Sequence, residues 1–496
     1  MNYKQFKSGT DIRGIAAEGV ENEHINLTDD VIKTMANGFL VWFTEKYNKK
    51  ANEITVSVGH DSRISADRIK NDVIEVFVSK GVKVLDCSLS STPSMFMTTV
   101  VKGCDAAVQI TASHHPFNRN GLKFFTREGG VSGDDISAIL ENAQQNKQVE
   151  NACGSAEKID FMSEYSKILR DKIIEETGEQ KPLEGLKIIV DAGNGAGGFY
   201  AYDVLKPLGA DISGSQFLEP DGMFPNHIPN PENKVAMKAI SDATVKNHAD
   251  LGVIFDTDVD RASCVSSDGK EINRNRIVAL AAAIALENNA GGTVVTDSVT
   301  SSGLKEFIEN DLGGKHLRFK RGYKNVIDEA VRLENEGISA PLAIETSGHA
   351  AFKENYFLDD GAYLITKIII KASKLRKKGK SIDDLIANLK EPKDLVELRF
   401  KINEEDFKAY GQKVIDDLFA FGKKNNMNIA PDNHEGIRIS INDGWFLLRL
   451  SVHDPIMPLN IESDEQNGCK TIAKVVYEFL KNYDKLDLSA IENYLN

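Results

Sequence analysis

Three segments of this 496-residue chain share one local pattern. "ITVSVGHDSRIS", "KIIVDAGNGAG" and "GTVVTDSVTSS" each run a β-branched stretch into an aspartate (Asp61, Asp191 and Asp297) and then into small residues that open a helical periodicity. Continuous apolar runs of this kind belong to strands covered on both faces, as in α/β units. The three aspartates are too widely spaced for a solenoid period, so the segments read as three related α/β domains in tandem. Ligands of such sheets bind outside the carboxyl ends of the strands, and the three junction loops are therefore candidate site elements.

From Leu395 the pattern changes. "VELRFKI" alternates, a helical stretch follows, and "GIRISINDGWFLLRLSVHD" reads as two strands joined by a hairpin turn at Asn442, Asp443 and Gly444. This predicts a C-terminal α+β domain. Ahead of it, the basic run "KASKLRKKGKS" reads as a solvated helix end whose cations complement the macrodipole, and "IDDLIANLKE" as a further helix. A hinge or linker is placed near Lys374 to Pro392.

Composition narrows the function. A formal net charge of −14 opposes general binding to nucleic acid or to an anionic membrane, so an anionic ligand needs a local basic cluster. The five cysteines form no C-x-x-C pair and read as reduced thiols. No apolar leader or run of transmembrane length is present, and a cytoplasmic location is expected.

Several loops carry chemistry. "TASHHPFNRNGLKFF" sets Ser113 against His114 and His115, with Lys123 following, and reads as a nucleophile loop. In "LGVIFDTDVDRAS" a strand ends in Asp256, Asp258 and Asp260, with Arg261 next. Carboxylates so close repel one another unless a cation sits among them, and oxygen ligation suits Mg²⁺; the competing reading is a polar turn. "DAGNGAGG" contains a formal G-x-G-x-x-G at Gly193, Gly195 and Gly198, with Glu219 at a plausible distance for a ribose. A structural turn is preferred to a dinucleotide site there, because close helix–strand packing needs the same glycines. "LAIETSGHAAF" places Glu345, Ser347 and His349 at alternate positions, and "LLRLSVHD" carries Arg449 and Ser451 on a strand running into a loop, a plausible phosphate grip.

Taken in order, the serine loop (111–116), the D-x-D-x-D-R loop (256–261), the E-x-S-G-H loop (345–349) and the R-x-S loop (449–451) resemble the α-D-phosphohexomutase family, in its bacterial phosphomannomutase/phosphoglucomutase branch. The resemblance extends from "GTDIRG" at 9–14 through "FPNHIPNPEN" at 224–233. It implies an α/β fold of three tandem mixed α/β domains of shared topology plus a smaller C-terminal α+β domain around a central cleft, which the last domain closes. The expected boundaries are 1–160, 161–265, 266–374 and 393–496.

The resemblance also implies an activity, the interconversion of hexose 1-phosphate and hexose 6-phosphate through a phosphoserine at Ser113 and a hexose 1,6-bisphosphate. Phosphoryl transfer needs positioning and charge neutralisation more than covalent help, which suits a Mg²⁺ ion held by the Ser113 phosphate, Asp256, Asp258 and Asp260. Arg13, His114, Lys123 and His349 match positions around the reacting oxygen, with the general base left open among them. Arg261, Lys320, Arg321, Glu345, Ser347, Arg449 and Ser451 match substrate-binding positions. Glucose 1,6-bisphosphate is the expected activator, small hexose phosphates are the expected partners, with no nucleic acid or membrane, and the chain is expected to be a monomer or homodimer.

The chain departs from the family pattern at His115, where an asparagine is usual, at His453 and Asp454 in the phosphate grip, at Tyr323 after Gly322, and in "TDSVTSS", which lacks a lysine. Glucose and mannose phosphates are the expected substrates. The alternatives are a phosphoglucosamine mutase, a sugar-phosphate-binding regulator without turnover, and a nicotinamide-dependent dehydrogenase built on Gly193 to Gly198.

Overall fold

A computed structural model describes residues 2–451 and 454–496. His453, one of the departures noted above, lies outside the described residues. The chain divides into two units, one of residues 1–284 and 347–385, the other of residues 285–346 and 386–496.

The first unit contains two sheets. In the larger, the parallel strands Ala106–Ile110, Thr55–His60, Lys83–Leu89 and Ser155–Lys158 lie side by side, and Arg119–Thr126 and Asp11–Ile15 extend the sheet antiparallel. The sheet is mixed because the chain returns from the Ser113 loop directly into Arg119–Thr126 without a crossover helix. One face is covered by the helix Asp29–Tyr47, whose Val31, Ile32, Met35, Phe39 and Trp42 are buried at three- and four-residue spacing. Phe39 stacks on Phe124 of the sheet, with ring centroids 4.6 Å apart.

The second sheet pairs Ile188–Asp191 in parallel with Leu251–Phe255 and then turns antiparallel through Ala262–Ser266 and Glu271–Ile272. Asp256 to Arg261 is thus the loop of a β-hairpin, which holds its carboxylates between two hydrogen-bonded strands.

In the second unit, Lys315–Arg318, Thr293–Thr296 and Leu342–Ile344 are parallel neighbours. The C-terminal sheet has six strands, and every pairing described in it is antiparallel. Its hairpin turns on Asn442 (φ 47°) and Asp443 (φ 53°), the two left-handed residues a type I′ turn requires, with Gly444 opening the next strand. These elements bear out an α/β architecture of tandem mixed sheets with a sheet-containing C-terminal domain.

The junction aspartates do the same structural work in two of the three sheets. Asp61 accepts the Thr111 hydroxyl at 2.7 Å, and Asp297 accepts the Thr346 hydroxyl at 2.7 Å, so each ties its strand end to the loop after the neighbouring parallel strand. Asp191 instead accepts from Gln216 at 2.7 Å and faces His227.

Two readings need correction. "IDDLIANLKE" forms only a 3₁₀ turn at Asp383–Ile386, because Pro392 and the extended strand from Asp394 follow too closely for a longer helix. The basic run does end a helix, Gly361–Arg376, with Lys374 and Arg376 in its last turn. Arg449 and Ser451 lie beyond the strand Gly444–Leu448 and not on it, although their N–H groups still donate to the Pro458 and Ile456 carbonyls. The segment after "DAGNGAGG" continues as a π-helix at Tyr200–Leu205 and a 3₁₀ turn.

The glycines of that segment face protein. A Cβ on Gly195 would lie 2.5 Å from the Thr257 carbonyl oxygen, and one on Gly198 would lie 2.2 Å from that of Leu218. The close approach that a dinucleotide would need is already taken by neighbouring backbone, which supports a structural turn.

Candidate active site

Thr111 to Pro116 follows the carboxyl end of Ala106–Ile110. The Thr111 hydroxyl accepts the Ser113 N–H at 2.9 Å, and Ser113 sits at φ 49°, a left-handed conformation rare for a non-glycine residue. Its Oγ donates to Asp256 Oδ2 at 3.2 Å, accepts from the Arg261 guanidinium at 3.0 Å, and lies 3.2 Å from His114 Nδ1. Arg261 also donates to His114 Nδ1 at 2.6 Å. That nitrogen is therefore an acceptor. Burial, then the charges of Arg261, His115 and Arg13, push the His114 pKa down to about 2, so the ring is neutral and cannot store a proton.

Asp256, Asp258 and Asp260 are all buried, and one oxygen from each lies within 4.8 Å of the others. The tip of their loop is strained, since Val259 is β-branched and adopts φ 70°. Asp258 is held from two directions: the Thr92 hydroxyl donates to Oδ2 at 2.5 Å, and the Thr92 N–H donates to the Asp258 carbonyl at 2.8 Å. Lys123 Nζ donates to Asp260 Oδ2 at 2.6 Å and stands 4.0 Å from Asp258 Oδ2. The second oxygens of Asp258 and Asp260 are buried without a hydrogen-bond partner. A buried carboxylate oxygen left so is costly, and a cation answers that need. Three carboxylates, two of them with an unpartnered oxygen, and no nitrogen or sulfur donor among them fit a hard divalent ion such as Mg²⁺.

The protonation pattern is uneven. Burial and the charge of Asp260 raise Asp256 well above the usual carboxylate range, with Arg261 opposing. Burial would raise Asp260 too, but Lys123, His349 and Arg261 outweigh it and hold Asp260 ionised. Backbone pairing between Arg261 and His349 holds His349 beside this hairpin. His349 Nδ1 lies 2.6 Å from Asp359 Oδ2 and 3.9 Å from Asp260 Oδ1. Burial would lower its pKa, yet the two carboxylates raise it to about 9, so the ring carries a proton at neutral pH.

The first unit therefore brings together Ser113, His114, Lys123, the three aspartates, Arg261 and His349. Arg13 pairs with Asp11 of its own strand, Asp11–Ile15, at 2.8 Å and lowers the pKa values of His114 and His115 through its charge. Ser347 is buried in this unit, with an Oγ that has no hydrogen-bond partner.

The other predicted residues belong to the second unit. There Glu345 accepts the Gly322 N–H at 2.7 Å, tying its loop to the basic loop of Lys320 and Arg321. Lys320 and Arg321 line a cavity of 580 Å³ together with Asn325, Phe419, His434 and Glu435. Arg449 is buried, with Nε unpartnered, and the Ser451 hydroxyl accepts the Asp454 N–H at 3.3 Å.

Sequence reasoning missed Thr92, Asp359 and Asn230. Thr92 is the first residue of a helix capped by Ser91 and reads as a plain N-terminus, with no sign of contact to a loop far along the chain. Asp359 stands in "LDDG", ten residues after its histidine and beyond the alternating motif. Asn230 belongs to "FPNHIPNPEN" and accepts from Arg261 at 3.3 Å.

The same motif carries His227. Its Nδ1 lies 3.0 Å from the Ile228 carbonyl, and its Nε2 lies 3.0 and 3.1 Å from the two Asp191 oxygens. Both nitrogens face acceptors, which favours the imidazolium. Burial would lower the pKa, but the hydrogen bond and charge of Asp191 leave it raised. A histidine raised by folding stabilises fully below its unfolded value of 6.5, and that stability is lost as pH rises through the folded value. His227→Gln is expected to remove this part of the pH dependence, seen as a flatter fall in thermal midpoint above about pH 6.5. Identical slopes in the two proteins would contradict the assignment.

Comparison with known proteins places this geometry. Models of phosphoglucomutase/phosphomannomutase alpha/beta/alpha domains I, II and III match residues 4–150, 163–269 and 273–392. The chain is 28% identical to a phosphomannomutase/phosphoglucomutase of Pseudomonas syringae pv. tomato, over 87% of this chain and 88% of the relative. It is 29% identical to a phosphoglucomutase of Neisseria gonorrhoeae, over 93% and 94%. The crystal structure of a phosphoglucomutase/phosphomannomutase family protein from Burkholderia thailandensis superposes with a TM-score of 0.81 at 26% identity, covering 97% of this chain and 98% of that one.

Proposed function

The chain belongs to the phosphoglucomutase/phosphomannomutase family and is a hexose phosphate mutase, and we propose that its reaction runs through Ser113 as a phosphoserine, acting on glucose or mannose phosphates. The observation that carries this reading is the setting of Ser113 Oγ, 3.2 Å from Asp256 and 3.0 Å from Arg261, beside carboxylates whose spare oxygens call for a cation.

Asp256, Asp258 and Asp260, with a Ser113 phosphate oxygen, would hold Mg²⁺. The ion supplies charge neutralisation for the phosphoryl group. Every other contribution comes from the chain. Arg261 donates to Oγ and stabilises the charge that gathers there when the P–O(Ser) bond breaks and a P–O(sugar) bond forms. Neutral His114 accepts from Arg261 and aims it at Oγ. Lys123 is held as an ammonium by Asp260 and adds positive charge beside the acceptor. The His349 imidazolium, held by Asp359, gives its proton to Ser113 Oγ as the P–O(Ser) bond breaks, and the proton shed by the attacking hydroxyl restores it. The hexose 1,6-bisphosphate so formed turns over and gives its other phosphate back to Ser113, and added glucose 1,6-bisphosphate acts as activator by the same route. Glu345, Ser347, Lys320, Arg321, Arg449 and Ser451 serve the sugar and the phosphate that is not reacting.

The test is phosphorus NMR of purified protein with Mg²⁺, a trace of glucose 1,6-bisphosphate, and glucose 1-phosphate or mannose 1-phosphate in separate tubes. A 6-phosphate is expected to appear in at least one tube. Absence of product from protein shown to carry phosphoserine would exclude both substrates, and glucosamine 1-phosphate would be tried next.

A further inference from the structure

We propose that Arg63 is a positioning residue of this reaction, whose guanidinium gathers the carbonyls of the serine loop and fixes the left-handed conformation that aims Ser113 Oγ at Asp256. The proposal rests on the phosphoserine reading above.

Arg63 follows the first junction aspartate and is 2% exposed. One terminal nitrogen donates to the Pro116 carbonyl at 2.6 Å and to that of Arg119 at 2.9 Å. The other donates to the His115 carbonyl at 2.6 Å and to that of Ser113. All four terminal N–H donors are used on one loop. Nε lies 3.2 Å from Asp61 Oδ2, an ion pair without hydrogen-bond geometry, and Asp61 in turn accepts the Thr111 hydroxyl that holds the Ser113 N–H. The peptide groups on both sides of Ser113 are therefore pinned from the same Asp61–Arg63 turn, one through Thr111 and one directly.

Such pinning has a physical reason. A non-glycine residue at φ 49° persists only where its surroundings over-determine it. The turn itself is backed by the segment 221–224. The Phe224 ring centroid stands 5.2 Å from the guanidinium carbon, and a Cβ on Gly222 would come within 2.4 Å of Ser62 and Ile64 backbone atoms. A planar fork with fixed donor directions suits four carbonyls spread around it, whereas an ammonium on a flexible stem offers three donors from one point.

Arg63→Lys separates this role from simple packing. Misplacing a reacting atom by about 1 Å costs on the order of 100-fold in rate. The expected result is a fall in kcat of about that size, with KM and Mg²⁺ affinity nearly unchanged and a displaced or broadened phosphoserine resonance in the phosphorus NMR spectrum. Unchanged kcat and resonance in a folded variant would overturn the proposal, as would a loss confined to thermal stability. Phe224→Ala, on a partly exposed loop, provides a second probe should Arg63→Lys not fold. It is expected to lower kcat several-fold at constant KM, and wild-type kinetics would count against the positioning role. If the wild-type protein shows no phosphoserine resonance after incubation with glucose 1,6-bisphosphate, the serine reading itself fails, an outcome distinct from either variant result.

Discussion

Ser113→Ala is expected to lower turnover by about 10⁴-fold or more while leaving the fold intact. The serine is the only atom source for the covalent intermediate in the proposed reaction, and removing a nucleophile that works with its neighbours as a unit typically costs that much or more. In free energy the loss is roughly 5.5 kcal/mol of transition-state stabilisation, at about 1.4 kcal/mol per factor of ten. The fold should tolerate the change, because Asp256 keeps both of its contacts with the Arg261 guanidinium, at 3.1 and 2.9 Å, and the backbone anchors of the loop do not involve Oγ. Only the contacts of Oγ with Asp256, Arg261 and His114 are lost. The measurement is a steady-state assay alongside a thermal melt and a phosphorus spectrum of the protein after incubation with glucose 1,6-bisphosphate. Activity within tenfold of wild type, or a surviving phosphoserine signal, would remove Ser113 from the mechanism.

Much of this arrangement is legible in the chain because the chemistry sits at the ends of strands, where the local pattern is strong. The aspartates at 61, 191 and 297 mark the carboxyl ends of parallel strands, and the Ser113 loop follows another such end. The carboxylate triplet falls within five residues of sequence, so its mutual repulsion is visible without coordinates. What stays hidden is what depends on distant partners. Thr92 reaches Asp258 from a helix start 166 residues away, and nothing in "SSTPS" separates that threonine from an ordinary capping residue. Arg63 reads as one more basic residue after a junction, because four carbonyl acceptors leave no trace in side-chain composition. The 3₁₀ turn at Asp383–Ile386 shows the opposite limit: "IDDLIANLKE" has helical propensity, and tertiary context overrides it. The glycines at 193, 195 and 198 match a dinucleotide fingerprint letter by letter, and only the position of Thr257 and Leu218 against them assigns the turn to packing.

Asp258→Asn is expected to change stability in opposite directions with and without Mg²⁺. In the metal-free protein three buried carboxylates crowd within 4.8 Å, and Lys123 (4.0 Å from Asp258), Arg261 and the His349 imidazolium offset part of their repulsion. Removing one charge relieves that repulsion, by an amount on the order of 1–2 kcal/mol at an effective dielectric appropriate to a protein. The amide can keep the Thr92 hydrogen bond through its carbonyl oxygen. The midpoint in the presence of chelator should therefore rise by a few degrees. Saturating Mg²⁺ should then reverse the order of the two midpoints, because it stabilises wild type and leaves the variant nearly unchanged. A ligand at about 100 times its dissociation constant stabilises the folded state by roughly 2.7 kcal/mol, and a variant that has lost a charged ligand forgoes most of this gain. Wild type is expected to move up on adding Mg²⁺ and the variant hardly at all, with turnover falling on the order of 1,000-fold because the phosphoryl charge is no longer neutralised. Paired thermal melts in chelator and in Mg²⁺ read both effects in one experiment. A variant that melts lower than wild type in chelator yet keeps the full Mg²⁺ shift would mean that Asp258 is a structural carboxylate, held by Thr92 for the sake of the hairpin, and that the cation is bound without it.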